Sequence, residues 1–261
     1  MKIARRSILA AVLPPLLLFL VVLGAWHFSV RHWQIPPFLL PSPGDVGRAA
    51  LDNFAKLAAA SGITAAGALA GFGVSLVVGV CLAILFSQSA IIRRSFFPYA
   101  IFFQTVPIVA IAPLIVIWSG TGFRSVVLVA FIVSVFPIIT NATAGLTSID
   151  PDLLDLFRLH GASRWQTLFK LRLPGAVPST VTGAKTSSGL AVIGAIVGEF
   201  FVGYDPSEQF GLGYLIQEST QQLKTDLVLC AVVLATVLGL IVFGTVTLIG
   251  GLVLRRYSPG G

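Results

Sequence analysis

The feature that most constrains this chain is a series of apolar segments, each about long enough to cross a bilayer. A helix needs roughly 20 mostly apolar residues to span about 30 Å of hydrocarbon. Such segments recur along the 261 residues, of which 56% are hydrophobic and only 10% are charged, whereas soluble domains carry about 25% charged residues. Because backbone polar groups in lipid must be satisfied within the segment, helices are favoured. We therefore predict an all-α, polytopic membrane protein.

We predict six transmembrane helices, at residues 7–30, 63–87, 97–118, 125–146, 179–201 and 227–254. A proline-rich loop and a short interfacial helix at 46–60 separate the first two spans. Residues 1–61 thus form an N-terminal unit of span, periplasmic loop and interfacial helix, and residues 62–261 a core of five spans. The third span should be kinked, because it contains Pro98, Pro107 and Pro113. Small residues near helical spacing in the second span predict close helix contacts: Gly67, Gly71, Gly73, Ser75 and Gly79.

Lysine and arginine are divided unequally between the two predicted sides of the membrane. Eleven of the 17 lie on the side that carries both termini, five lie on the other side, and Lys185 falls within the fifth span. The positive-inside rule therefore places both termini in the cytoplasm of a multi-pass inner-membrane protein. The net charge of +7 then reflects membrane orientation, and we expect no nucleic-acid partner. Seven of ten acids lie outside or near the outer ends of spans: Asp45, Asp52, Glu199, Asp205, Glu208, Glu218 and Asp226.

One long polar segment, residues 150–178, interrupts the apolar pattern between spans four and five. Its leucines and Phe157 have helical spacing, and Gly161 is typical of a glycine just past a helix end. Ser163 can cap a second helix at 164–171, and Pro174 should mark the end of that helix. We interpret the helix, glycine turn and second helix as a cytoplasmic docking element.

The spacing of Asp155-Leu156-Phe157, Gly161 and Leu171-x-Leu173-Pro174 resembles the EAA motif of bacterial ABC importer permeases. The run GASRWQTLFKLRLP is similar to that motif, while Asp155 stands in place of glutamate and two bulky residues replace two alanines. Elsewhere, LLPSPGDV, VPIVAIAPLIVIWSGTGFRS and GEFF followed by FGLGYLI resemble the nitrate, sulfonate and taurine branch. Some pyrimidine-precursor and riboflavin importers share this pattern, so the solute stays open.

The resemblance implies a permease subunit that forms the translocation path for a small solute, which an extracytoplasmic binding protein delivers. It implies two copies of a separate ATP-binding subunit and a second permease copy. Because each chain supplies one coupling segment and two are needed, we expect a homodimer, while a heterodimer stays open. No GxxxxGK[ST] motif occurs in the chain, which agrees with ATP hydrolysis elsewhere. We name residues 150–174 the coupling segment. The residues expected to contact the ATPase are Asp155, Arg158, Gly161, Ala162, Arg164, Trp165, Leu173 and Pro174.

Four polar residues of the spans are candidates for the translocation path: Gln104, Thr105, Asn141 and Glu199. Polar side chains in lipid can equally serve interhelical hydrogen bonding, and an acid near the interface can be solvated. We predict no catalytic, cofactor or metal site, because the three histidines are scattered and both cysteines lie in apolar runs. An ion-gradient-driven carrier and an intramembrane enzyme remain the alternatives.

Overall fold

The computed structural model describes residues 2–202 and 210–257, with the side chains of all but residues 2–12, 103 and 257. The predicted outer acids Asp205 and Glu208 lie outside the described residues. Within these ranges the chain forms helices and no strand. The helices are α1 (Lys2–His32), α2 (Pro43–Asp52), α3 (Phe54–Gln88), α4 (Ala90–Thr105), α5 (Ile108–Ser119), α6 (Phe123–Thr147), α7 (Pro151–Leu159), α8 (Arg164–Thr167), α9 (Leu173–Phe201), α10 (Leu212–Gln221) and α11 (Thr225–Tyr257).

Five helical segments are long and apolar enough to cross a membrane by length and composition, which confirms the predicted fold class. They are Leu13–His32, Phe54–Gln88, Phe123–Thr147, Arg164–Phe201 and Thr225–Arg256. The predicted span at 97–118 is instead divided between α4 and α5, each shorter than a single crossing. The count of six spans therefore stays a prediction.

The break between α4 and α5 lies at Pro107, where the sequence predicted only a kink. Proline cannot donate a backbone hydrogen bond, and Pro107 is extended at the start of α5, with φ −63° and ψ 108°. The hydroxyl of Thr105 donates to the carbonyl of Phe102 at 2.7 Å. This bond satisfies one acceptor that the interrupted helix leaves free.

Helix α6 forms the centre of the bundle, between α3 and α9. A methyl group at Gly71 of α3 would lie 2.5 Å from the Cβ of Ala130, and one at Gly194 of α9 would lie 2.7 Å from its Cα. Both neighbouring backbones therefore approach α6 at the same residue, as small residues allow in lipid. Gly67 and Gly79 also contact α6, and Ser75 bonds to Ser134 at 2.7 Å.

The prediction of close contact is thus confirmed at four of five positions. It is wrong at Gly73, which has no atom within 4 Å of the place of a methyl group.

The predicted interfacial helix at 46–60 is shorter in the structure. Helix α2 ends at Asp52, and residues 54–60 belong to the long helix α3. Asn53 separates the two helices, and its side-chain amide donates to the carbonyl of Ala49 at 2.9 Å. Asparagine competes in this way with backbone hydrogen bonding, which explains why the helix stops there.

A second cluster packs α2, the start of α3, α10 and α11 together at one end of the bundle. Its buried members are Ala49, Leu57, Ala60, Leu212, Leu215, Leu227, Cys230 and Ala231. Cys230 is a buried free thiol in this cluster, while Cys81 is free and exposed. We call this end of the bundle the α10 end. The two helices of the coupling segment, α7 and α8, form what we call the helix pair at the opposite end.

Helix α1 packs differently from the other long helices. In the apolar stretch of α1 only 6% of the residues are buried, against 56% in the apolar stretches of α6 and of the helical segment that contains α9. Its described contacts are mainly with α2. In a single chain, residues 13–32 of α1 therefore leave nearly all of their surface to lipid or to a partner.

Candidate functional site

The coupling segment begins with a short helix whose two ends are set by local chemistry. The Asp150 carboxylate caps α7 by accepting from the N–H of Asp152 at 2.9 Å, and Pro151 occupies the first turn, where no N–H is needed. At the other end Gly161 has φ +66°, the left-handed conformation that glycine adopts freely. The N–H of Ala162 then donates to the carbonyl of Phe157 at 3.0 Å. The predicted glycine turn is confirmed.

Ser163 caps the start of the second helix, as predicted, and the structure shows that the cap is a capping box. The Ser163 hydroxyl accepts from the N–H of Gln166 at 3.2 Å, and the Gln166 side chain accepts from the N–H of Ser163 at 2.7 Å. Two free donors at the helix start are thereby satisfied by side chains.

Pro174 does not end this helix, and the predicted boundary there is wrong. One π-helical turn, Leu168–Arg172, lies immediately before the proline, and the N–H of Leu173 donates to the carbonyl of Leu168. The wider turn accommodates the missing N–H and the ring of Pro174, as π-bulges do inside helices. Helical structure therefore continues from Arg164 to Phe201. The predicted fifth span, 179–201, and the second half of the coupling segment are thus parts of one continuous helix, which we call the rod.

Two contacts hold the first turns of this helix to the bundle. Leu168 is 2% exposed and packs with Ala83 of α3 and with Ala142 and Leu146 of α6. The guanidinium of Arg172 donates to the carbonyl of Ser87 at 2.9 Å, near the end of α3. The segment is thus fixed both by apolar packing and by a charged hydrogen bond.

Most of the other residues of the helix pair are exposed. Trp165 and Phe169 are 67% and 61% exposed, and their rings stack with centroids 6.0 Å apart. Arg158 and Asp155 form an ion pair at 2.9 Å on the surface of α7. Exposed aromatic and arginine side chains are typical anchors of protein interfaces.

The structure separates the eight predicted coupling residues into two groups. Five are exposed on the helix pair: Asp155, Arg158, Gly161, Arg164 and Trp165. Ala162 is half-buried, and so are Leu173 and Pro174. The latter two line an apolar groove of about 580 Å³ together with Phe169 and residues of α3 and α11. Leu173 and Pro174 therefore join the segment to the membrane helices.

Glu199 belongs to a hydrogen-bonded network at the α10 end of the bundle. Its Oε2 accepts from the Thr64 hydroxyl at 2.9 Å and from the N–H of Gly213 at 2.7 Å. Thr64 in turn accepts from the N–H of Leu212 at 2.8 Å. Thr64 is fully buried and Glu199 is 4% exposed. The network therefore joins α3, α9 and the first turn of α10, whose free N–H groups it satisfies.

The sequence prediction named Glu199 but missed Thr64, Gly211 and Gly213. A methyl group at Gly211 would overlap the Glu199 carboxylate, and one at Gly213 would overlap the carbonyl of Ile196. The signal that could have revealed them is Gly211-Leu212-Gly213 itself, two glycines at a helix start that follows a span ending in an acid. Glycines so placed allow another group to approach the backbone closely.

The other three predicted path residues lie elsewhere. Gln104 and Thr105 are exposed at the end of α4. Asn141 is half-buried on α6 and donates to the carbonyl of Pro137 at 2.8 Å. It lies fifteen residues along α6 from Val126, which lines a cavity with Glu199, a separation of about 22 Å along the helix axis. The structure thus places Asn141 and Glu199 at different depths of the bundle.

The family model of the binding-protein-dependent transport system inner membrane component matches residues 75–256. The formylaminopyrimidine transport permease ThiX of Halalkalibacterium halodurans is 31% identical, over 90% of this chain and 92% of that protein. The riboflavin transport system permease RibX of Chloroflexus aurantiacus is 32% identical, over 93% of this chain and 89% of its own. The taurine transport system permease TauC of Escherichia coli is 27% identical, over 84% of this chain and 80% of that protein.

A solved structure has the same fold as the described helices. It is an inward-facing conformation of the MetNI methionine ABC transporter, with a TM-score of 0.65. The superposition covers 79% of this chain and 98% of the other, at 17% sequence identity. At that identity the likeness concerns the arrangement of the helices alone.

Proposed function

Since the chain belongs to the family of binding-protein-dependent transport system inner membrane components, and is a permease subunit of an ATP-driven importer, we propose that its coupling segment docks onto the ATP-binding subunit. The family implies an ATP-binding subunit and a solute-binding protein as partners, and the chain is a transport subunit and not an enzyme. The observation that carries the proposal is the Gly161 turn. It presents an exposed helix, α7, on a rod that continues into the membrane.

The continuous helix gives a mechanical basis for coupling. A force on Arg164 or Trp165 acts at the end of a helix that runs unbroken to Phe201. Because the packed core is not continuously deformable, the rod should move as a rigid body with its α6 neighbour. Closure of the ATPase would then switch access to the path without any change in secondary structure. We place both termini on the same, cytoplasmic side as the coupling segment.

We also propose that two copies of this chain pair, each docking one of two ATP-binding subunits. Each chain supplies a single coupling segment, whereas an ATPase that closes around bound nucleotide presents two docking sites. The exposed α1 supports this proposal, because its apolar surface is free to pack on a second permease.

The transported solute is, on our proposal, a small molecule of the kind that the relatives' names describe. Formylaminopyrimidine, riboflavin and taurine are the solutes in those names. A binding protein outside the cell would select the solute, and the permease would pass it along Gln104, Thr105, Asn141 and Glu199.

Replacement of Gly161 tests the coupling proposal. Gly161→Val forces a branched side chain into φ +66°, although nothing lies within 4 Å of the added carbon, so backbone strain is the only local perturbation. Gly161→Asn is the matched variant, since asparagine tolerates this conformation. We expect the valine variant to lose copurification of the ATP-binding subunit and solute-stimulated ATP hydrolysis, and the asparagine variant to retain both. If the valine variant couples normally, the coupling assignment is wrong.

A further inference from the structure

A polar cavity of about 330 Å³ lies between the coupling segment and the end of α3. Three arginines line it, Arg158, Arg164 and Arg172, together with Gln88, the last residue of α3, and Thr167. None of the described residues that line the cavity is acidic. Three arginines thus line one space, and no described residue in its wall carries the opposite charge.

The hydrogen bonds of the three arginines leave most of their donors free. Arg158 pairs with Asp155 at 2.9 Å, but both side chains are more than 60% exposed, so the pair is screened and weak. Arg172 uses one nitrogen for the Ser87 carbonyl, out of five N–H donors in a guanidinium. The guanidinium of Arg164 makes no hydrogen bond or ion pair with the described part of the chain. The cavity therefore offers unused, charged donors in a planar geometry that matches phosphate oxygens.

The position of the cavity in the bundle indicates which kind of anion would fill it. Gln88 ends one apolar helix, and Leu173 begins the apolar part of another. The cavity therefore lies beside the ends of two apolar helices, which is the level at which we expect lipid phosphates. Basic pockets between transmembrane helices at this level are suited to anionic lipid headgroups.

From these observations we propose that the arginine cavity binds the phosphodiester of an anionic membrane lipid. The bound headgroup bridges Arg164 and Arg158 on the helix pair to Arg172 beside α3. It thereby holds the coupling segment at a fixed angle to the bundle. The proposal relies on the proposed function for the consequence on coupling, and not for binding itself, so the two fail separately.

Lipid binding is measured on the purified full-length protein in neutral detergent by native mass spectrometry. Phosphatidylglycerol and phosphatidylcholine are titrated in parallel, with inorganic phosphate in large excess as a competitor. The test variant is Arg164→Gln, which removes no described hydrogen bond. The matched control is Lys170→Gln, which removes the same charge from the same segment but lines the adjacent cavity with Phe157 and His160. Equal thermal unfolding without added lipid establishes that both variants are folded.

We expect the wild type to retain phosphatidylglycerol in preference to phosphatidylcholine, with inorganic phosphate unable to displace it. Arg164→Gln should weaken phosphatidylglycerol binding about tenfold, the usual effect of losing a charged hydrogen bond, while Lys170→Gln should leave it within about twofold of the wild type. Displacement by inorganic phosphate would identify a free-phosphate site and overturn the lipid assignment. Equal loss in both variants would overturn the cavity as the site. Loss of ATPase binding in Arg164→Gln with lipid binding unchanged would show that the arginines face the ATPase instead.

Discussion

The Oε2 of Glu199 on α9 and the backbone N–H of Gly213 on α10 are 2.7 Å apart. This bond fixes the start of α10 to a membrane helix at a point that is almost fully buried. The same oxygen holds the Thr64 hydroxyl of α3 at 2.9 Å. One carboxylate thus holds three helices together. Its removal should lower the stability of the α10 end.

Removal of this carboxylate should destabilise the protein. In Glu199→Ala the N–H of Gly213 is buried without its acceptor, and such a group costs about 1–3 kcal/mol. Glu199→Gln keeps one oxygen at the same place, so we expect it to fall between alanine and the wild type. Thermal unfolding in detergent measures the order of stability of the two variants and the wild type. Glu218→Ala removes a half-buried acid that pairs with the exposed Lys56 at 3.1 Å, which should cost less than about 1 kcal/mol. A Glu199→Ala protein as stable as Glu218→Ala would contradict the role of the network.

Gly211 should tolerate no added carbon. A methyl group there would overlap the Glu199 carboxylate, and overpacking of a buried site usually costs about 1–3 kcal/mol. Gly62→Ala is the matched control, because nothing lies within 4 Å of that position in α3 and alanine favours a helix. We expect Gly211→Ala to lower the unfolding temperature and Gly62→Ala to maintain or raise it. An unchanged Gly211→Ala protein would mean that α10 moves aside at no cost.

Patterns in the sequence predicted those features that depend on local chemistry. The apolar runs predicted the long helices, Gly161 predicted a turn that has positive φ, and Ser163 predicted a helix cap. Each depends on a few consecutive residues whose conformational preferences are strong. For the same reason, the glycines of α3 predicted a contact surface without showing which helix occupies it.

The sequence did not predict the contacts between distant residues or the π-helical turn before Pro174. Pro174 lacks a backbone N–H in any context, but the π-helical turn that accommodates it lies in a segment packed on other helices through Leu168. The Glu199 network joins Thr64 to residues about 150 positions later. No local pattern marks such a pair, because the contact exists only once α3, α9 and α10 have packed.

The anchor of the coupling segment can be tested at two adjacent residues. Leu168 is buried between α3 and α6, whereas Phe169 is 61% exposed. Leu168→Ala should cost about 2–5 kcal/mol, because it leaves a cavity in a packed contact. Phe169→Ala should cost far less in detergent. Thermal unfolding compares the two, and amide hydrogen exchange of residues 164–172 reports whether the rod has loosened locally. Equal effects would argue against a core anchored by Leu168.

The cap of α2 should make this part of the protein sensitive to acid. Hydrogen bonds from the Ser42 hydroxyl and then from its backbone N–H hold the pKa of Asp45 below its usual range. A carboxyl whose pKa is lower in the folded state contributes stability above its unfolded pKa, about 3.9. That contribution is lost as the pH falls through the folded pKa. The cap is therefore complete at neutral pH and weakens below about pH 4.

The variant Asp45→Asn isolates the contribution of the negative charge of Asp45 to the stability of the cap. We expect the variant to unfold at a lower temperature than the wild type at about pH 6, and the difference should shrink at about pH 3, where the wild-type carboxyl gains a proton. Asp52→Asn, at the other end of the same helix, controls for the general effect of removing a negative charge. A difference between wild type and Asp45→Asn that stays constant over this range would show that the charged form of Asp45 does not stabilise the helix start.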